Sequence, residues 1–208
     1  MTRGYDSVLF DFDGVLADTE PIHWRCWRET LAPLEIELTW ETYCANCIGV
    51  ADRNMLAFLA TLASRPVEVE ALRPHYATKK ELFRRKIGEA DPCPAETVEL
   101  IRSLGGYRVA VVTSSGRLEV APVLERAGLI PYLAAMVFGE DVTRHKPAPD
   151  AYLLAAKRVG AARPLVVEDS AAGIESARAA GFDFVRVGSP REVAAMVRLA
   201  LKTGGAAS

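Results

Sequence analysis

The chain has no apolar run approaching the ~20 residues that a membrane-crossing helix needs; its apolar stretches are short and interrupted by acids and glycines. Its first residues, "MTRGYDSVLFDF", lack the plan of a secretory leader, because an acid interrupts them early. Neither sign of charge is in excess: 25 Lys and Arg stand against 27 Asp and Glu, for a net charge of −2. No basic surface is therefore expected to meet nucleic acid or anionic lipid. Cysteine is scarce. The four present, Cys26, Cys44, Cys47 and Cys93, do not form the dense framework of a small secreted domain. Cys44 and Cys47 make a C-x-x-C, but no second pair lies at zinc-finger spacing, so reduced thiols are the expectation. These absences together point to a cytoplasmic protein without a membrane or nucleic-acid partner. They leave the oligomeric state open, and a monomer is compatible with them.

Half of the 208 residues are hydrophobic, enough for one domain with an insertion or for two small domains. Four short β-branched runs read as strands buried on both faces: residues 7–12, 107–115, 164–170 and 182–188, with 136–141 as a candidate fifth. Helical patterns separate them. In "PAETVELIRSLGG" the residues Val98, Ile101 and Leu104 share one face, with glycines beyond. Strand and helix alternate, so the expected fold is α/β: a Rossmann-like, doubly wound parallel sheet. Residues 16–87 differ. They contain no convincing strand and several helical stretches, and read as an α-helical cap domain inserted after the first strand, leaving 1–15 and 88–208 as the core.

The first apolar run ends in two carboxylates, Asp11 and Asp13, followed by Gly14. Open α/β sheets bind ligands at the carboxyl ends of their strands. The second run ends in Thr113, Ser114 and Ser115, the third in Glu168, Asp169 and Ser170, and Lys146 stands in the Pro-rich "RHKPAPD". Asp11, Asp13, Glu168 and Asp169 in one pocket would repel one another and raise each other's pKa. A divalent cation removes that conflict, and hard oxygen ligands favour Mg²⁺. Lys146, Thr113 and Ser114 would hold the oxygens of a phosphate. An aspartate can attack phosphorus, and a second can protonate the leaving group. A lone D-x-D is an ordinary turn or cap; the argument lies in the ordered conjunction of D-x-D-G, T-S-S, K-P and E-D-S.

That conjunction resembles the haloacid dehalogenase superfamily, in its helical-cap phosphatase and β-phosphoglucomutase-like branch. "DFDGVLADTEPIH", "VVTSS", "HKPAPD" and "VVEDSAAGIESARAAG" are similar to its four motifs, across nearly the whole chain. The resemblance implies Asp11 as nucleophile and Asp13 as acid/base. It implies Mg²⁺ on Asp11, the Asp13 main-chain carbonyl and Asp169, with Glu168 nearby. It places Ser114 and Lys146 on the transferring phosphoryl group, and makes Gly14 and the residues after it the hinge of the cap. Dehalogenases of this family lack the second acid, so Asp13 argues against dehalogenation.

A phosphatase and a phosphosugar mutase share this chemistry. His23 and Trp27 match the D-T-x-x-x-H-x-x-x-W stretch of the mutase-like group, and Lys79 lies near its cap-hinge lysine. The mutase grip on a second phosphate is incomplete: Asp52, with Arg53 beside it, takes the cap arginine's place, and Gly116-Arg117-Leu118 replaces Ser-Lys-Asn. Arg117 is a candidate substitute for the lysine, and a one-residue slip would restore Arg53. The expected reaction is Mg²⁺-dependent hydrolysis of a small-molecule phosphate ester such as a sugar phosphate, with β-phosphoglucomutase activity as the alternative. Loss of Asp11, Asp13, Lys146 or Asp169 would have marked a non-catalytic binding module, and none is lost. Substrate choice is expected from the cap loop "CIGVADRNM". His23 is as compatible with simple packing as with function. Trp40 and Phe58 read as cap core, and Arg84, Arg85 and Lys86 as a solvated face.

Overall fold

The computed structural model describes residues 4–48, 50, 52–65 and 67–204. In chain order its regular elements are β1 (Ser7–Phe10), α1 (Glu20–Leu31), α2 (Trp40–Asn46), α3 (Asp52–Thr61), α4 (Val69–Glu89), α5 (Ala95–Ser103), β2 (Arg108–Val112), α6 (Arg117–Arg126), β3 (Ala135–Val137), α7 (Asp150–Val159), β4 (Pro164–Glu168), α8 (Ala171–Ala179), β5 (Asp183–Arg186) and α9 (Val193–Thr203). The side chains of Asp52 and Arg53, and residues 49 and 51 of the cap loop, lie outside what is described. The chain divides into two compact units, Met1–Asp18 with Asp91–Ser208, and Thr19–Ala90.

The first unit is a five-stranded parallel sheet in the order β3-β2-β1-β4-β5. β1 is central, pairing with β2 on one side and β4 on the other. Leu9, Ala110, Val112, Val137 and Val166 pack against Tyr152, Ala155 and Val159 of α7 and Ala177 of α8. Val8, Phe10, Val111, Leu165 and Val167, of the opposite parity, are buried too. Burial of both faces is why these runs are continuously apolar. The run expected over 136–141 is strand only at Ala135–Val137; Gly139–Asp141 instead forms a 3₁₀ turn, with Asp141 Oδ2 accepting from the Phe138 N–H at 3.0 Å. On α5 the buried face is Thr97, Leu100 and Ile101, with Val98 only half-buried. Thr97 is buried because its hydroxyl donates to the Pro190 carbonyl at 2.9 Å.

The second unit is helical. Trp27, Leu31, Leu38, Tyr43, Leu56, Leu59 and Leu72 form its core, with Trp24, Trp40 and Phe58 packed at the margin. The longest of its helices, α4, starts at Val69 and runs through Pro74. Leu72, Leu82, Phe83 and Ile87 bury one side of it, which offsets the missing proline N–H. Among the described residues no helix is long and apolar enough to cross a membrane. The cysteines are free thiols, with Cys26, Cys47 and Cys93 buried and Cys44 exposed.

Candidate active site

β1 stops at Phe10, and Asp11 leaves it with its N–H still on the Val167 carbonyl at 3.0 Å. This puts Asp11 at the carboxyl end of the sheet, between the ends of β2 and β4. The Phe12 carbonyl then accepts from the N–H groups of Leu16 and Ala17, at 2.9 and 3.0 Å, closing the turn that presents Asp13 and Gly14. Gly14 has φ of 75°, and a Cβ there would collide with the Asp169 carboxylate. Only glycine meets both demands.

Lys146 reaches into this place from the loop before α7. Its Nζ lies 2.5 Å from Asp11 Oδ1, 2.6 Å from Glu168 Oε1, 3.0 Å from the Val112 carbonyl and 3.2 Å from the Tyr152 hydroxyl. The Lys146 side chain is 6% exposed and that of Glu168 is 0% exposed. Burial alone would lower the Lys146 pKa, but Asp11 and then Glu168 raise it, so the ammonium stays charged. Burial likewise pushes Glu168 up, and Lys146 with its hydrogen bonds brings it below the usual value. Asp11 is held well above the ordinary carboxylate range by burial, against the pull of Lys146, with Glu168 and Asp13 adding to the rise. Asp169 is raised to about 6 by burial and then by Glu168.

The oxygens of Glu168 are already taken. Oε1 accepts from Lys146 and from the Tyr152 hydroxyl at 2.8 Å; Oε2 accepts from the Asp169 and Ser170 N–H groups, both at 3.1 Å, and from the Ser170 hydroxyl at 3.0 Å. Gly173 leaves the space that this carboxylate occupies, since a Cβ there would overlap it. Glu168 is thus built in as the counter-ion of Lys146. Among the described residues Asp11, Glu168 and Asp169 form the one acidic cluster able to hold a metal, with ligand atoms within 4.8 Å of one another. One ammonium faces several carboxylates here, and the two whose net shift is upward, Asp11 and Asp169, are hard oxygen donors. That donor set and that charge deficit fit a hard divalent cation.

The T-S-S stretch divides its work. Thr113 Oγ1 accepts from the Ser115 N–H at 2.9 Å, and Ser115 Oγ donates to Asp13 Oδ2 at 2.6 Å. These two residues orient each other and Asp13. Ser114 is exposed, with no side-chain hydrogen bond among the described residues, and its carbonyl abuts Gly139. Arg117 is turned elsewhere: its guanidinium lies 4.2 Å from the Phe138 ring centroid, while its main-chain N–H donates to the Glu140 carboxylate at 3.0 Å. His23 and Lys79 lie in the helical unit, where His23 stacks on Phe83 at 3.8 Å and Lys79 Nζ is 2.6 Å from His23 Nδ1. The Arg53 side chain is outside the described residues. Sequence reasoning overlooked Tyr152 and Gly173. The available signals were a tyrosine one helical turn past K-P-A-P and a glycine one turn into the helix that follows E-D-S.

A parallel sheet that gathers acids and a lysine at its strand ends belongs to the Rossmann-like α/β enzymes. More narrowly, the chain belongs to the haloacid dehalogenase-like hydrolases, whose family model matches residues 8–187. Fructose-1-phosphate phosphatase YqaB of Escherichia coli (strain K12) is 34% identical over 191 residues, which cover 90% of this chain and 98% of that protein. Phosphorylated carbohydrates phosphatase of Thermotoga maritima is 31% identical over 181 residues, covering 86% of this chain and 82% of that protein. Among solved structures, CbbY from Rhodobacter sphaeroides in complex with phosphate matches with a TM-score of 0.67 at 27% identity, covering 86% of this chain and 84% of that one.

Proposed function

We propose that this hydrolase is a Mg²⁺-dependent phosphatase of small phosphorylated metabolites, sugar phosphates foremost, acting through an aspartyl-phosphate on Asp11. The observation that carries the proposal is the state of Asp11. Its Oδ1 is fixed by Lys146, while Oδ2 takes no protein donor among the described residues. A buried carboxylate with one oxygen pinned and one open is arranged as a nucleophile. The substrates in the names of the two phosphatase relatives, fructose 1-phosphate and phosphorylated carbohydrates, support the choice of sugar phosphates.

Asp11 Oδ2 attacks phosphorus, and the bond from phosphorus to the substrate oxygen breaks. Asp13, held by Ser115, gives its proton to that leaving oxygen. Asp13 as carboxylate then takes a proton from water; the water oxygen attacks phosphorus, and the bond to Asp11 breaks to release inorganic phosphate. Lys146 and the Ser114 hydroxyl hold phosphoryl oxygens throughout. Asp11, the Asp13 carbonyl and Asp169 would hold the cation, which supplies positive charge against the phosphoryl oxygens. The placement of the Arg117 guanidinium over the Phe138 ring supports hydrolysis over the mutase reading, because it sets that charge against a side chain of the core unit itself. The helical unit, as the cap, is the part assigned to substrate choice.

The test is phosphate release from fructose 1-phosphate, β-glucose 1-phosphate and an aryl phosphate, with and without Mg²⁺. We expect Mg²⁺-dependent release that Asp11→Asn lowers by at least about a thousandfold. We also expect Mg²⁺ to raise the unfolding temperature of the wild type more than that of Asp169→Asn. Conversion of β-glucose 1-phosphate to glucose 6-phosphate with little free phosphate would instead establish the mutase.

A further inference from the structure

We infer that Tyr152 is a positioning residue of this site: its buried hydroxyl occupies Glu168 Oε1 and so leaves the Lys146 ammonium aimed at Asp11. The inference rests on the phosphatase reading above. Tyr152 is 0% exposed, on the first turn of α7, among Leu9, Val112, Val137 and Val166. A phenylalanine would fill the same space without a polar atom to satisfy. The hydroxyl therefore answers a need other than packing.

Hydrogen counting locates that need. An ammonium has three hydrogens. Asp11 Oδ1, Glu168 Oε1 and the Val112 carbonyl, at 2.5, 2.6 and 3.0 Å, take all three. The Tyr152 oxygen, at 3.2 Å, is the most distant of the four neighbours, and its own hydrogen goes to Glu168 Oε1 at 2.8 Å. Two carboxylates thus compete for one ammonium. Tyr152 supplies a second donor to one competitor and weakens its hold. Its ring also faces the ammonium, 4.8 Å from centroid to Nζ, and limits where Lys146 can swing. With the hydroxyl gone, Glu168 Oε1 keeps Lys146 as its only donor and draws it off the phosphoryl site. Oε2 cannot compensate, because its three donors belong to the start of α8.

The experiment compares Tyr152→Phe with wild type in wild-type and Lys146→Met backgrounds. It measures kcat and KM for an aryl phosphate, and denaturant unfolding of the metal-free proteins. We expect Tyr152→Phe to lower kcat by about tenfold or more, as the loss of one hydrogen bond to a charged group should. KM should stay within about twofold, and the kcat loss should vanish without Lys146, where no ammonium remains to be aimed. Unfolding should show coupling between the two positions. If Lys146→Met does not fold, Glu168→Gln replaces it as background, since it removes the competing charge and should likewise mask Tyr152→Phe. An unchanged kcat, or an equal loss in both backgrounds, would overturn the inference. If the wild type hydrolyses nothing, the phosphatase reading fails instead. The unfolding cycle then decides alone: coupling keeps Tyr152 as the positioner of Lys146, and additivity removes it.

Discussion

Each of the two units buries a lysine, and the two lysines keep different company. Lys146, in the α/β unit, is gripped by Asp11 and Glu168 with Val112 and Tyr152 around it. Lys79, in the helical unit, sits 2.6 Å from His23 Nδ1 and near the faces of Phe83 and Trp27, at 5.1 and 5.7 Å from their centroids. The neighbours respond accordingly. Around Lys146 a carboxylate, Glu168, is pulled below its usual pKa despite burial. Around Lys79 an imidazole is pushed well below its usual pKa by burial and by the lysine charge, so His23 is neutral and accepts at Nδ1. The first arrangement keeps a buried ammonium charged between two carboxylates. The second keeps a titratable ring uncharged within an aromatic stack.

The contrast is most exposed by Lys146→Met. It would strand two buried carboxylates, so we expect a loss of about 3–5 kcal/mol of stability and a turnover lower by about a hundredfold or more. Urea unfolding and aryl phosphate kinetics check both; an undiminished midpoint would mean that Lys146 is not the keystone of this charge set. Gly173→Ala is the next strongest probe. A methyl group there overlaps the Glu168 carboxylate, and displacing it should cost about 1–3 kcal/mol and loosen Lys146. A variant with wild-type stability and rate would show that Glu168 tolerates other positions.

His23→Phe should have the smallest effect, and it sharpens the comparison through pH. The unfolded chain protonates His23 below its ordinary pKa of about 6.5, while the folded chain resists. Stability from this residue is therefore complete above that pKa and fades as pH falls through it. Between pH 7 and 5 the wild type should lose more stability than His23→Phe does. Parallel pH profiles of unfolding would place His23 outside the buried stack.

Much of the fold is legible in the sequence because the sheet is buried on both faces, so its strands are short continuous apolar runs between helical patterns. What the sequence does not show depends on packing and on distant partners. Thr97 looks like a surface residue until Pro190 satisfies its hydroxyl. Pro74 looks like a stop until the burial of Leu72 and Phe83 outweighs it. The strand-end acids and Lys146 stand out because charge at the end of an apolar run is conspicuous. Tyr152 does not, because a tyrosine in a helix reads as core, and only the folded chain shows its hydroxyl meeting Glu168. The work of Thr113 and Ser115 is also tertiary: Ser115, held by Thr113, serves Asp13, 102 residues away in the sequence, and Ser114 is left exposed.

The central claim is that Asp11 forms the covalent intermediate. The direct measurement is acid quenching of the enzyme during turnover of a sugar phosphate with Mg²⁺, followed by peptide mass mapping. The account predicts one added phosphoryl group on the peptide that contains Asp11, absent from Asp11→Asn. Sustained phosphate release by wild type with Asp11 never modified, even when quenched within the first turnover, would contradict it and make water the direct attacker.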